Sequence, residues 1–133
     1  MTHTITFRFC LLVLLLIPSG FVSASDLSGR YFMDGNPNRV IMIKYIGDDL
    51  YRVEEPGSPW PWSGAAIFEG NKIQGLVRLS KSGNATMMLN GSVRSDGSIV
   101  IDYVFMTDNT GNLMKKIGPD RGRVDNHIWY RAK

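Results

Sequence analysis

The sequence predicts an all-β domain: an antiparallel meander of about eight strands that closes into a small up-and-down barrel. Three observations lead there. Apolar residues recur at every second position over most of the chain, the spacing of a strand with one buried face. Short Gly, Asn and Asp turns punctuate these runs at hairpin intervals. No long amphipathic helix interrupts them. Regular short strands with tight turns suit a sandwich or a barrel. The hairpin order favours the barrel, because closure removes the exposed edges of an open meander.

Taken in order, the strands are expected at 29–33, 40–46, 50–54, 65–68, 72–80, 85–93, 99–107 and 127–131. Asn36-Pro37-Asn38 precedes the second, and Gly47-Asp48-Asp49 separates it from the third. Glu69-Gly70-Asn71, Lys81-Ser82-Gly83-Asn84 and Ser95-Asp96-Gly97 divide the middle strands. Two connections are longer. One, at 55–63, holds Pro56-Gly57-Ser58-Pro59-Trp60-Pro61-Trp62; the other, at 108–126, carries several glycines, Pro119 and four basic residues, with a weak helical turn at 113–117. Asp102 sets the facing of the seventh strand. Burying a lone carboxylate costs several kcal/mol, whereas losing one large apolar contact costs about 1.5–3 kcal/mol. Ile99, Ile101, Tyr103 and Phe105 should therefore point inward. Val100, Val104 and Met106 then face out beside Met88 and Leu76, an apolar patch that leaves homo-oligomerisation open.

The first residues have another purpose. Arg8 is the sole charge before Asp26, an apolar run from Phe9 to Ile17 follows, and Val22-Ser23-Ala24-Ser25 supplies small residues. This is the pattern of a cleaved secretory signal over 1–24, with a cut after Ala24 or one residue later. The rival is an uncleaved anchor, but a spanning helix needs about 20 apolar residues, and Pro18 and Gly20 break the run well short of that. Residues 25–133 form one domain, periplasmic or secreted, with no transmembrane segment after cleavage. The single cysteine, Cys10, leaves with the signal, which excludes disulfides, thiolate metal sites and cysteine nucleophiles. An exported domain without disulfides leans towards a bacterial envelope.

Losing Arg8 lowers the net charge from +3 to +2. Residues 25–70 hold four basic against seven acidic side chains, and residues 71–133 hold ten against five. The basic second half could meet an anionic partner such as a membrane surface or an acidic glycan, but basic residues alternating along strands read rather as a solvated face, and nucleic acid is not an expected partner. Nor is an enzyme expected: no nucleophile elbow, zinc-protease helix motif or phosphate loop appears. Glu54-Glu55 and Asp48-Asp49 sit at turns, where adjacent carboxylates face apart into solvent. His127, the one histidine after the leader, follows Asp125-Asn126 and could pair for acid–base work, but a lone histidine entering a strand reads as a surface residue. No metal site or cofactor is expected. The methionines, Met87-Met88 included, lie at strand spacing and read as core filler rather than copper ligands. Asn84-Ala85-Thr86 and Asn90-Gly91-Ser92 fit the glycosylation pattern, which matters only in a eukaryote.

A small exported eight-stranded meander resembles the calycins, the group of lipocalins and avidins. Lipocalins carry Gly-x-Trp near the first strand and Arg near the last; here the matching places read Gly29-Arg30-Tyr31 and Trp129-Tyr130-Arg131. The tryptophan is replaced by Tyr31, and the usual helix after the barrel is lacking. The resemblance implies structural roles for Gly29 and Arg131, with Arg131 packed across Tyr31, and a ligand at the other end of the barrel.

Two functions remain. The first is a binding protein taking a small, partly apolar ligand in or at the mouth of the barrel, with Tyr31, Trp60, Trp62, Tyr103 and Phe105 as contacts. Trp60-Pro61-Trp62 is the most unusual feature, since proline stiffens a loop that carries two indoles; the same residues could instead plug the open end. The second is an inhibitor or envelope accessory factor with a filled barrel, meeting a protein partner through the outer apolar patch or the basic loop at 115–123. Interior volume discriminates, because an eight-stranded barrel can be just filled or can hold one small ligand.

Overall fold

The computed structural model describes residues 27–81, 85–108, 110–112 and 124–133. The leader expected at 1–24, the helical turn expected at 113–117 and the basic segment at 115–123 lie outside them. Eight strands follow in order: β1 Gly29–Met33, β2 Val40–Gly47, β3 Leu50–Glu55, β4 Trp62–Glu69, β5 Lys72–Leu79, β6 Thr86–Val93, β7 Ile99–Phe105 and β8 Val124–Arg131. Each pairs antiparallel with the next, and β8 returns to β1, so the meander is a closed barrel. The closing ladder matches Tyr31 with Arg131, Phe32 with Tyr130 and Met33 with Trp129. Every strand is thereby paired on both sides, which leaves no open edge.

Four strands run further than the sequence pattern suggests: β2 reaches Gly47 and β8 begins at Val124 rather than at 127, and β3 and β4 lengthen towards each other. β3 includes Glu55, and β4 begins at Trp62 rather than at 65. Glu55 and Trp62 are register partners, so the ladder closes at the base of the Pro-rich connection and shortens it to residues 56–61. Proline lacks an N–H and cannot extend the ladder further.

The inner face follows the alternation of period two. Tyr31, Ile41, Tyr51, Val53, Ala66, Ile73, Val77, Leu89, Ile99, Ile101, Tyr103 and Trp129 are each no more than 4 % exposed. Asp102 faces out. Glycines on the inner face of β4 and β5 let neighbouring backbones approach. A Cβ on Gly64 would lie 2.7 Å from Val77 Cα, and one on Gly75 would lie 2.8 Å from Ala66 Cβ.

Strand direction alternates, so the connections fall at two ends. One end carries the β1–β2 turn and the hairpin at 56–61, and there β5 and β7 finish and β6 and β8 start. The other carries the segment entering β1 from Leu27, the residues after β8 and the remaining turns. There, Tyr31 Oη–H donates to Leu27 O at 2.9 Å, and Arg131 lies over the Tyr31 ring, 5.9 Å from its centroid. The Arg131 guanidinium also donates to Ser28 O at 2.9 Å, tying the last strand to the chain entering the first.

Candidate functional site

The chemistry of the described residues concentrates at the hairpin end. In β3 the inward positions are Tyr51, Val53 and then Glu55, so the alternation that buries two apolar side chains also buries a carboxylate. Glu55 is fully buried. Its charge is met by three N–H donors: Arg39 Nε at 2.6 Å, Arg39 Nη2 at 2.8 Å and Trp62 Nε1 at 3.1 Å. A two-pronged guanidinium contact is the strongest pairing available to a carboxylate. The bond from Glu55 in turn raises the Arg39 pKa above its ordinary value. The expectation that Glu54 and Glu55 are both solvated fails for Glu55, because adjacent strand residues face opposite sides. Glu54 takes the outer side and pairs with Arg52 at 3.1 Å.

Arg39 ends the β1–β2 turn. Its N–H donates to Asn36 O at 3.0 Å, and its carbonyl accepts from Met33 N at 2.9 Å. Asp34 begins that turn with φ at 53°, a left-handed conformation uncommon for a residue other than glycine. Three bonds to β8 hold it there. Asp34 N–H donates to Ile128 O at 2.6 Å, Ile128 N–H donates to Asp34 Oδ1 at 2.9 Å, and Asp34 Oδ2 lies 2.7 Å from His127 Nδ1. Partial burial opposes the Asp34 charge, but the Ile128 N–H and His127 outweigh it and hold the carboxyl below the usual range. An ionised carboxylate only accepts, so His127 Nδ1 carries the shared proton. His127 is therefore half-buried and paired with Asp34 across the barrel closure, rather than a plain surface residue.

Aromatic rings fill the space beneath. Trp62 stacks on Trp129 at 6.0 Å, and Tyr103 meets Trp62 edge-on at 6.0 Å and His127 at 5.4 Å. Burial drives the Tyr103 pKa well above the ordinary tyrosine value, and the nearby Trp129 N–H only partly opposes it. Neither Tyr103 Oη nor Trp129 Nε1 completes a hydrogen bond of normal geometry.

The five residues expected to contact a ligand do not share one place. Trp62 and Tyr103 come together in the ring cluster. Phe105 is partly buried against the core. Tyr31 packs at the opposite end of the barrel. Trp60 is 61 % exposed, standing off the hairpin while Trp62 points inward. Its N–H donates to Ser58 Oγ at 3.1 Å, and Pro61 O accepts from Ser80 N at 2.8 Å. The sequence reading passed over Arg39, Asp34, Glu55 and Trp129 as site residues. One further step of the Tyr51, Val53 alternation would have reached Glu55.

On the outer surface, Leu76, Met88 and Val104 are successive register partners across β5, β6 and β7. Leu76 is exposed, and the other two are half-buried. Among the described residues, no group of three His, Cys, Asp or Glu side chains could hold a metal, and no helix is long and apolar enough to cross a membrane. No family model, curated protein or solved structure matches the chain.

Proposed function

We propose that this chain is an exported, non-enzymatic interaction protein of the cell envelope or its surroundings, which meets a protein partner on the outside of a filled barrel. The observation that carries this reading is the packed interior: side chains from all eight strands fill the middle of the barrel and are closed to water. A hollow carrier would line its cavity with accessible apolar side chains. Export rests on the leader. Kinship with the calycins rests on Gly29, Tyr31 and Arg131, in a barrel compatible with that fold. The docking element is the hairpin that displays Trp60. Tryptophan is among the commonest anchors of protein interfaces, and a proline-stiffened loop loses little freedom on binding.

A photo-crosslinking amino acid at position 60, in protein expressed in its own host, should capture one discrete protein, while the same group at Leu76 captures none. Trp60→Ala should weaken binding of that protein by about 2 kcal/mol or more and leave the melting temperature unchanged. Capture from 76 alone would move the interface to the outer apolar row.

A second reading, a small ligand at the hairpin end, draws on the uncompleted hydrogen bonds of Tyr103 and Trp129. It requires a discrete small-molecule adduct in native mass spectra of the host-derived protein. Such an adduct, lost on Tyr103→Phe, would replace the first reading.

A further inference from the structure

We infer that Arg39 and Glu55 are the positioning residues of the Trp60 hairpin, an inference that rests on taking that hairpin as the docking element. Glu55 is the last residue before Pro56, and Trp62 is the first after Pro61, so the bond from Trp62 Nε1 to Glu55 Oε1 clamps the two legs of the hairpin at 3.1 Å. Arg39 then ties this clamp to the end of the β1–β2 turn through two bonds of 2.6 and 2.8 Å. Asp34, at the start of the same turn, is fixed to His127 and Ile128 of β8. Trp62 stacks back onto Trp129 of β8 at 6.0 Å. With the backbone of the turn joining Asp34 to Arg39, these contacts complete a circuit: β8, Asp34, Arg39, Glu55, Trp62 and β8 again.

A buried ion pair is a poor device for stability, because desolvation offsets most of its attraction and apolar residues of similar size often do as well. Its bonds are directional, however, and fix one angle between the elements they join. Here the joined elements are the two legs of the hairpin and the neighbouring turn, on a barrel whose apolar interior already supplies its cohesion. Ser58 extends the same order into the loop: it is 8 % exposed, and its hydroxyl accepts the Trp60 N–H.

The test is ¹⁵N relaxation on the full barrel domain and on the double variant Arg39→Met with Glu55→Leu, each with a thermal melt. Backbone order parameters at Gly57, Ser58 and Trp60 should fall from about 0.85 to below about 0.6, while the protein stays folded with a melting temperature lowered only as far as the unpartnered Trp62 N–H requires and the β5–β6 resonances hold. Unchanged order in the hairpin, or loss of order spread over the whole barrel, overturns the inference. If the double variant does not fold, Glu55→Gln retains the shape and removes the charge, and the same readout applies. A hairpin that loosens as expected but never crosslinks a partner would leave the positioning role standing and defeat the docking reading. A hairpin that crosslinks but does not loosen would do the reverse.

Discussion

At the scale of single residues, the hairpin end is organised around one buried carboxylate, Glu55. Truncating Arg39 to Ala would strand the Glu55 carboxylate with only the Trp62 N–H. Removing one partner of a buried pair costs about 3–5 kcal/mol, and the partial exposure of Arg39 lowers this to about 2–4 kcal/mol, measurable as a shift in the urea midpoint. The effect of pH follows from Asp34, Asp96 and Asp108. Asp96 is stabilised in its ionised form by the Ser98 hydroxyl, and Asp108 by the Thr110 hydroxyl. Together with Asp34, they have folded pKa values below their unfolded ones. Their contribution is complete above the unfolded value of about 3.9 and is lost as pH falls through the folded values. Urea midpoints should therefore drop below about pH 4, and Asp34→Asn should blunt part of that drop. Tyr103 works in the opposite sense. Its raised pKa stabilises the fold below the unfolded value of about 10, and that contribution goes as pH rises through the folded one. Ultraviolet titration should find Tyr103 ionising only with alkaline unfolding. Asp34 and Glu55 were poorly legible in the sequence because their partners, His127 and Arg39, are remote along the chain; only the ladder registers bring each pair together.

At the scale of elements, the strands were legible because period two is a local signal, whereas their ends depend on contacts across the ladder. β4 illustrates the difference. Ala65 to Phe68 reads as a strand by composition, but Trp62 joins it only because Glu55 and Leu79 stand opposite. The inner-face glycines are also visible in the pattern, yet the tight approach that requires them is not. Gly75→Val should cost about 1–3 kcal/mol or more by overpacking against Ala66, read from chemical denaturation. Gly57 offers the contrast: nothing lies within 4 Å of a Cβ there, and its φ is not in the left-handed region. Gly57→Ala should leave the fold intact and add about 0.4–1 kcal/mol by restricting the unfolded chain.

At the scale of the whole molecule, closure was legible from the count and order of strands. The burial of the interior side chains was not, because filled and hollow barrels share the same alternation and differ only in how side-chain volumes sum around the circle. Trp129 is the largest fully buried side chain. Trp129→Ala should cost about 3–5 kcal/mol and open a cavity beside Trp62 and Tyr103. The native barrel should show no saturable uptake of an apolar naphthylamine dye, and the variant, if folded, should take it up. Uptake by the native protein would contradict the packed interior.

Eight alternating strands bring the chain back to the end from which it set out. The segment entering β1 and the residue after β8 lie side by side there, joined by Arg131 to Ser28 and by Ala132 N to Arg30 O at 2.9 Å. The Trp60 hairpin occupies the far pole. A tether fixed to the residues after β8, whether to a bead, a sensor chip or a fused domain, therefore holds the molecule by its base and leaves Trp60 pointing away from the support. A copy immobilised in this way presents its hairpin to the solution.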